Sequence, residues 1–151
     1  MGIRRYQPRD AAAVRRLNDE VLRDAGTDPA DIPHPDDIED VQSAYIDTGG
    51  EFLVAELDND VVGMGGLRVD GTEGELFRMR VAIDRQGEGI GTALLDALES
   101  AARERGVERL SAWTAKRQSA AVGFYPNHGY EQVETATRDP DYTLIHFRKE
   151  L

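Results

Sequence analysis

Glycines 87, 89 and 91, set in Asp84-Arg85-Gln86-Gly87-Glu88-Gly89-Ile90-Gly91-Thr92, make the segment of this chain whose spacing points most directly at a ligand. A run of this kind between a strand and a helix exposes unpaired backbone N–H groups where the helix dipole favours an anion. Glycine also allows positive φ and places no Cβ between backbone and ligand, so the chain can wrap closely around linked phosphates. Taken alone, the same glycines serve equally well for a tight strand-to-helix turn. The residue types then select among ligands. A P-loop closes on Gly-Lys-Ser/Thr, and this segment has no lysine. A dinucleotide fingerprint begun at Gly87 finds its second glycine at Gly89 but Thr92 at its third position. Antiparallel strands also precede it where a βαβ unit is needed.

Other reactive residue types are sparse. The absence of cysteine removes disulfides, thiolate nucleophiles and Cys-based zinc sites together. His34, His128 and His146 do not pair at metal-ligand spacing, so no metal is expected and each reads as a surface or structural residue. Trp113 reads as core.

The elements that must position the glycine segment follow from periodicity. Ile3 to Tyr6 predicts a short strand, and Pro8 with Asp10 as N-cap opens a helix whose apolar face is Ala11, Val14, Leu17, Val21 and Leu22, stopping at Gly26. Thr27 to Asp37 reads as a proline-rich loop, followed by a second helix from about Asp37 to Asp47 that Gly49-Gly50 ends. Phe52 to Ala55 and Val61 to Met64, joined by Asp58-Asn59-Asp60, predict a β-hairpin. Glu75 to Val81 is the third antiparallel strand. Ile90, Leu94, Ala97, Leu98 and Ala101 form one stripe on a helix that Gly106 stops. A strand over Arg109 to Thr114, a short helix from Ser119 to about Tyr125, and strands over Tyr130 to Ala136 and Tyr142 to Phe147 complete the chain, the last two joined at Arg138-Asp139-Pro140-Asp141. The 151 residues thus make a single α/β domain, residues 1–151, with a mixed, mostly antiparallel sheet flanked by helices in the order β-α-α-β-β-β-α-β-α-β-β.

Gln86-x-x-Gly89-x-Gly91, after the strand Leu76 to Val81 and before an amphipathic helix, resembles motif A of the GNAT superfamily, the Gcn5-related N-acetyltransferases. Gln118-Ser119-Ala120-Ala121-Val122-Gly123-Phe124-Tyr125, followed by Gly129-Tyr130, is similar to that family's Asn-x-x-Ala segment ending in tyrosine and Gly-Phe. The resemblance covers about Glu51 to Phe147 and implies a GNAT fold, acetyl-CoA as cosubstrate and a primary amine as acceptor, joined by direct attack in a ternary complex. It assigns the pyrophosphate to Gln86, Gly87, Glu88, Gly89, Ile90, Gly91 and Thr92. Pantetheine falls to the strand edge at Met79, Arg80 and Val81, whose backbone N–H groups would also stabilise an oxyanion. Gln118 replaces the family's usual asparagine beside the cofactor.

The amine must lose a proton before it attacks, and the resemblance points to Glu75 as the general base, with Glu73 as a fallback. Tyr125 matches the tyrosine that serves the departing thiolate. Arg85 is an added phosphate contact and His34 a contact for the acceptor pocket, which the resemblance draws from Thr27 to Gly50 and from Asp139 to Tyr142. Two departures argue for an alternative, a non-catalytic acyl-CoA-binding or regulatory module. Gln118 is one, and Pro126, expected to end the helix early and re-aim Tyr125, is the other.

Composition bounds the partners. A net charge of −11 disfavours nucleic acid, whose binding rests on basic residues. The lack of an apolar run of spanning length predicts a soluble protein without membrane contact, and the absence of cysteine a cytoplasmic one. Only Lys116 and Lys149 are lysines and Asp outnumbers Glu, a skew expected of an acidic, halophilic-type surface. The C-terminal strands leave room for pairing in a homodimer.

Overall fold

The computed structural model describes residues 1–31, 35–139 and 142–151. Its strands are β1 (Gly2–Arg5), β2 (Glu51–Leu57), β3 (Asp60–Asp70), β4 (Glu73–Val81), β5 (Arg109–Ala115), β6 (Glu131–Asp139) and β7 (Tyr142–Glu150). The helices are α1 (Ala11–Asp24), α2 (Ile90–Glu104) and α3 (Ser119–Asn127). One sheet runs β1-β2-β3-β4-β5-β7-β6, and every neighbouring pair is antiparallel except β4 with β5. The expected strands are all present and mostly longer than their apolar runs. Asp58 and Asn59 join β2 to β3 with φ of 52° and 68°, the left-handed pair that a tight hairpin of this twist requires. The expected turn residues Pro140 and Asp141 lie outside the described residues.

Two layers cover the sheet. On one face α2 buries Ile90, Leu94, Leu95, Leu98 and Ala102 against β2, β3 and β4. A Cβ at Gly63 would stand 2.8 Å from Leu94 Cδ1 and 2.9 Å from Ile90 Cγ2, so glycine there lets α2 sit directly on β3. On the other face α1 contributes Val14 and Leu17, and the segment after it contributes Ile38, Val41 and Tyr45.

Two helical expectations are corrected. Asp10 occupies the N-cap position of α1 but makes no side-chain cap hydrogen bond there. It ends a 3-10 turn over Pro8–Asp10, and its carboxylate turns back to accept from the Gln7 N–H at 2.8 Å and from Arg4 at 2.8 and 2.9 Å. The second helix is instead a 3-10 turn, Pro35–Glu39, and a separate π-turn, Gln42–Ile46. Asp40 breaks the continuity, because its side chain accepts from the Ser43 N–H at 3.3 Å and starts a new turn. The wide turn is closed by the Asp47 N–H on the Gln42 carbonyl at 2.8 Å, and it leaves Tyr45 fully buried with its hydroxyl donating to Asp37.

The feature that opens a site is the behaviour of β4. It pairs with β5 only from Glu73 to Leu76, against Arg109 to Ala112. Beyond that point β5 continues along β7 through Ala115, while the β5-side edge of β4 from Phe77 to Val81 has no strand partner among the described residues. A bulge lies at the same place. Partners jump from Met64↔Arg80 to Gly66↔Phe77, so Arg78 and Met79 occupy the space opposite one residue. Arg78 takes φ of 56° to do so, a strain on the order of 1–2 kcal/mol for a residue with a Cβ. Its guanidinium holds the carboxylate of Asp37 with three contacts of 3.0 to 3.2 Å, which offsets that strain and anchors the segment at Asp37 to the sheet.

Candidate active site

Where β4 and β5 diverge, a cleft of about 390 Å³ forms, lined by β4 residues from Glu75 to Arg80, by Trp113, Thr114 and Ala115 of β5, and by Gln118, Ala121 and Tyr125. Leu22, Asp37, Arg68, Tyr142 and Leu144 complete its walls. Glu75 and Tyr125, far apart in sequence, therefore share one cavity.

Glu75 is half-buried, and burial raises its pKa, with His146 and Arg68 pulling it back down. Glu73 is placed differently. It pairs with Arg109 at 3.3 Å at the end of the sheet and lines a neighbouring hollow, so it does not stand in for Glu75 within the cleft. Tyr125 is 5% exposed, its ring packed 5.4 Å from Tyr130 and 5.5 Å from Phe147. Burial pushes its phenol up to about 12, against a smaller downward pull from Arg80.

Pro126 does not end α3. The helix runs through it to Asn127 at the loss of one intrahelical N–H, and the His128 and Tyr130 N–H groups close on the Tyr125 carbonyl at 3.0 and 3.1 Å. The packing around Tyr125 overrides the local preference of a residue before proline. Gln118 precedes this helix and accepts from Thr114 Oγ1 at 3.3 Å at the cleft wall.

The glycine segment lies at one end of β4. After Val81, a 3-10 turn over Ile83–Arg85 leads to Gly87 at φ of 84° and Gly89 at 85°, and α2 begins at Ile90. Nothing lies within 4 Å of the direction a Cβ would take at either glycine, so the loop is open on that side. The first amides of α2 point from here without helical partners. Gly91 packs against Phe124 and Val81, at 3.2 and 3.6 Å from its Cβ direction. Thr92 Oγ1 meets His128 Nε2 at 3.0 Å, while His128 Nδ1 lies 2.8 Å from the Phe124 carbonyl. Because a carbonyl only accepts, Nδ1 carries a proton there. His128 thus ties the start of α2 to α3, a role that no local pattern around it signals. Gln86 turns its amide toward the Val81 carbonyl at 3.4 Å, and Arg85 sits 3.8 Å from Glu88 on the surface.

The three strand-edge residues divide their side chains between faces. Met79 packs under β3 with the α2 core and Val81 lies beside Gly91, whereas Arg80 reaches the α1 side, donating to Asn18 Oδ1 at 3.3 Å and to the Met79 carbonyl at 3.2 Å. Trp113, expected in the core, lines the cleft and stacks on His146 at 4.3 Å with 3° between the planes. His146 Nδ1 lies 3.1 Å from Glu134, and its Nε2 is buried without a hydrogen-bond partner among the described residues. Tyr130 also does more than fill space. Its hydroxyl donates to buried Glu99 at 2.8 Å, and Lys149 closes the same carboxylate at 3.0 Å. His34 lies outside the described residues. Among the described residues no three His, Cys, Asp or Glu gather as a metal site, and no helix is long and apolar enough to cross a membrane.

The sequence matches the Acetyltransferase (GNAT) family model over residues 15–130. An acetyltransferase of Pectobacterium atrosepticum is 35% identical over 88 residues, covering 57% of this chain and 61% of that protein. N-acetyltransferase 8 of Rattus norvegicus is 32% identical over 123 residues, covering 74% of this chain and 55% of its own length. The chain therefore spans less than two thirds of the length of these curated relatives. Among solved structures, a GNAT-family acetyltransferase from Staphylococcus aureus superposes with a TM-score of 0.87 at 20% identity, covering 99% of this chain and 98% of the other. A Salmonella typhimurium structure solved with its cofactor acetyl-CoA gives 0.79 at 22% identity, over 99% and 93%. At such identities the structural likeness speaks for the fold. With the family's sequence model matching most of its length and the divergence of β4 from β5 set beside a glycine-led helix, this chain belongs to the GNAT family of acetyltransferases.

Proposed function

We propose that the protein transfers an acetyl group from acetyl-CoA to a primary amine by direct attack in a ternary complex. The observation that carries this reading is the convergence of Glu75 and Tyr125 on one cleft beside an unpartnered strand edge. The residues fit the cosubstrate. Gly87 and Gly89 leave open space over the start of α2, so Gln86 to Thr92 would hold the pyrophosphate, with Gln118 beside it. The free edge at Met79, Arg80 and Val81 would take the pantetheine by main-chain hydrogen bonds. Bound there, acetyl-CoA supplies an acyl group activated as a thioester.

The side chains supply the proton handling. Glu75 accepts a proton from the acceptor ammonium, and its raised pKa brings it nearer the working pH of a base. Backbone N–H groups of the splayed edge offer donors for developing negative charge without reorganising. Tyr125, held near pKa 12, keeps its proton at neutral pH and offers it as a hydrogen bond to the leaving sulfur.

The passage of α3 through Pro126 favours this catalytic reading over a binding-only module, since Tyr125 remains at the cleft. The test is a panel of amines with acetyl-CoA, following CoA thiol release and the acetylated product by mass. Saturable binding of acetyl-CoA without turnover of any amine would instead support the module.

A further inference from the structure

The chain as a whole carries a net charge of −11, yet the α1 side of the cleft is built from arginines. Arg68, Arg78 and Arg80 line it, against Asp37 and Glu75. Arg78 and Asp37 engage one another through both carboxylate oxygens. Arg68 lies over the rings of Tyr45 and Phe77, 4.8 Å from each centroid, and its charge acts on Glu75.

Arg80 is held differently. Its hydrogen bonds go only to neutral oxygens, Asn18 Oδ1 and the Met79 carbonyl, and no carboxylate pairs with it among the described residues. Burial and the neighbouring Arg78 lower its pKa to about 10, which still leaves it protonated at neutral pH. A half-buried cation with no carboxylate partner among the described residues is stabilised when an anion arrives. The cosubstrate's phosphates are not that anion. Alternation along β4 puts Val81 with Gly91 on the α2 side, where the glycine loop lies, and turns Arg80 to the α1 side against Asn18.

We propose that the acceptor brings the missing counter-ion: a primary amine that also carries a carboxylate, as a free amino acid does, with the carboxylate on Arg80 and the nitrogen toward Glu75. This rests on the acetyl-transfer reading of the same site and narrows its substrate class. A guanidinium fork matches a carboxylate in two parallel hydrogen bonds, which fixes the acceptor's orientation as well as its charge. A polyamine or a lysine flanked by basic residues meets Arg68 and Arg80 as like charges.

The experiment pairs α- and ω-amino acids with the amines left when each loses its carboxylate, and measures kcat/KM for both members by CoA release. The proposal expects the wild-type protein to favour the carboxylated member by 10-fold or more. In Arg80→Gln that preference ratio should fall roughly 10- to 100-fold, the range for losing a charge-assisted hydrogen bond. Arg80→Lys, which keeps the charge and loses the fork, should retain part of the ratio and serves if the glutamine variant fails to fold. A wild-type ratio of one or below, or a ratio unmoved in both variants, overturns the inference and leaves acetyl transfer standing. Silence toward every amine while acetyl-CoA still binds overturns the transfer reading, and the inference with it.

Discussion

Removing the Tyr125 hydroxyl probes the proposed chemistry at one atom. Burial holds the phenol near pKa 12, whereas a thiol ionises near 8.5, so full proton transfer from Tyr125 to a thiolate runs uphill by about 5 kcal/mol. Tyr125 therefore acts by donating a hydrogen bond to the sulfur as negative charge develops on it. A hydrogen bond to a charged group contributes about 1.5–3 kcal/mol, which corresponds to roughly 10- to 150-fold in rate. Tyr125→Phe should lower kcat with the best amine by that factor. The ring contacts with Tyr130 and Phe147 persist in the variant, so the fold should be retained. Steady-state CoA release, a titration of acetyl-CoA and a thermal melt together decide the matter. A loss under threefold, or a large loss matched by equally weakened cosubstrate binding, refutes the hydrogen-bond role. A loss beyond 10⁴-fold refutes the pKa argument, because it would require obligatory proton transfer.

Glu75→Gln should reduce kcat/KM at neutral pH by about 100-fold or more and remove the acid limb of the pH–rate profile. The sign for stability is opposite. A carboxyl whose pKa is raised on folding stabilises the fold below its unfolded value and loses that contribution as pH rises through the folded one, so the variant should melt no lower than wild type at pH 7. Gly89→Ala forces a Cβ into φ of 85° and into the open side of the loop. It should raise the acetyl-CoA dissociation constant 10-fold or more, as read by calorimetric titration. Tyr130→Phe leaves buried Glu99 with Lys149 alone and should cost roughly 1.5–3 kcal/mol in a denaturant titration; a value below 0.5 would show that the hydroxyl contributes little.

Several parts of this protein are legible in its sequence. The hairpin at Asp58-Asn59, the α2 stripe and the turn through Gly87 and Gly89 rest on local geometry, where residue type and spacing within one element set the backbone. The placement of Glu75 on β4 and Tyr125 on α3 followed from the same periodicities, together with the family resemblance.

Contacts between residues distant in the chain decided the rest. The bulge at Arg78 exists because Asp37, from the segment after α1, holds its guanidinium, and that segment abandons a regular helix where Asp40 starts a new turn. Trp113 lies on the cleft because β5 follows β7 away from β4, which an apolar strand pattern cannot reveal. The Thr92–His128 tie and the Glu99–Tyr130–Lys149 cluster join residues with no shared local pattern. Arg80 shows the division most clearly. Its place on β4 could be read from alternation, but its lack of a carboxylate partner among the described residues could not, because in a chain with 29 Asp and Glu only the folded arrangement determines which cations find one.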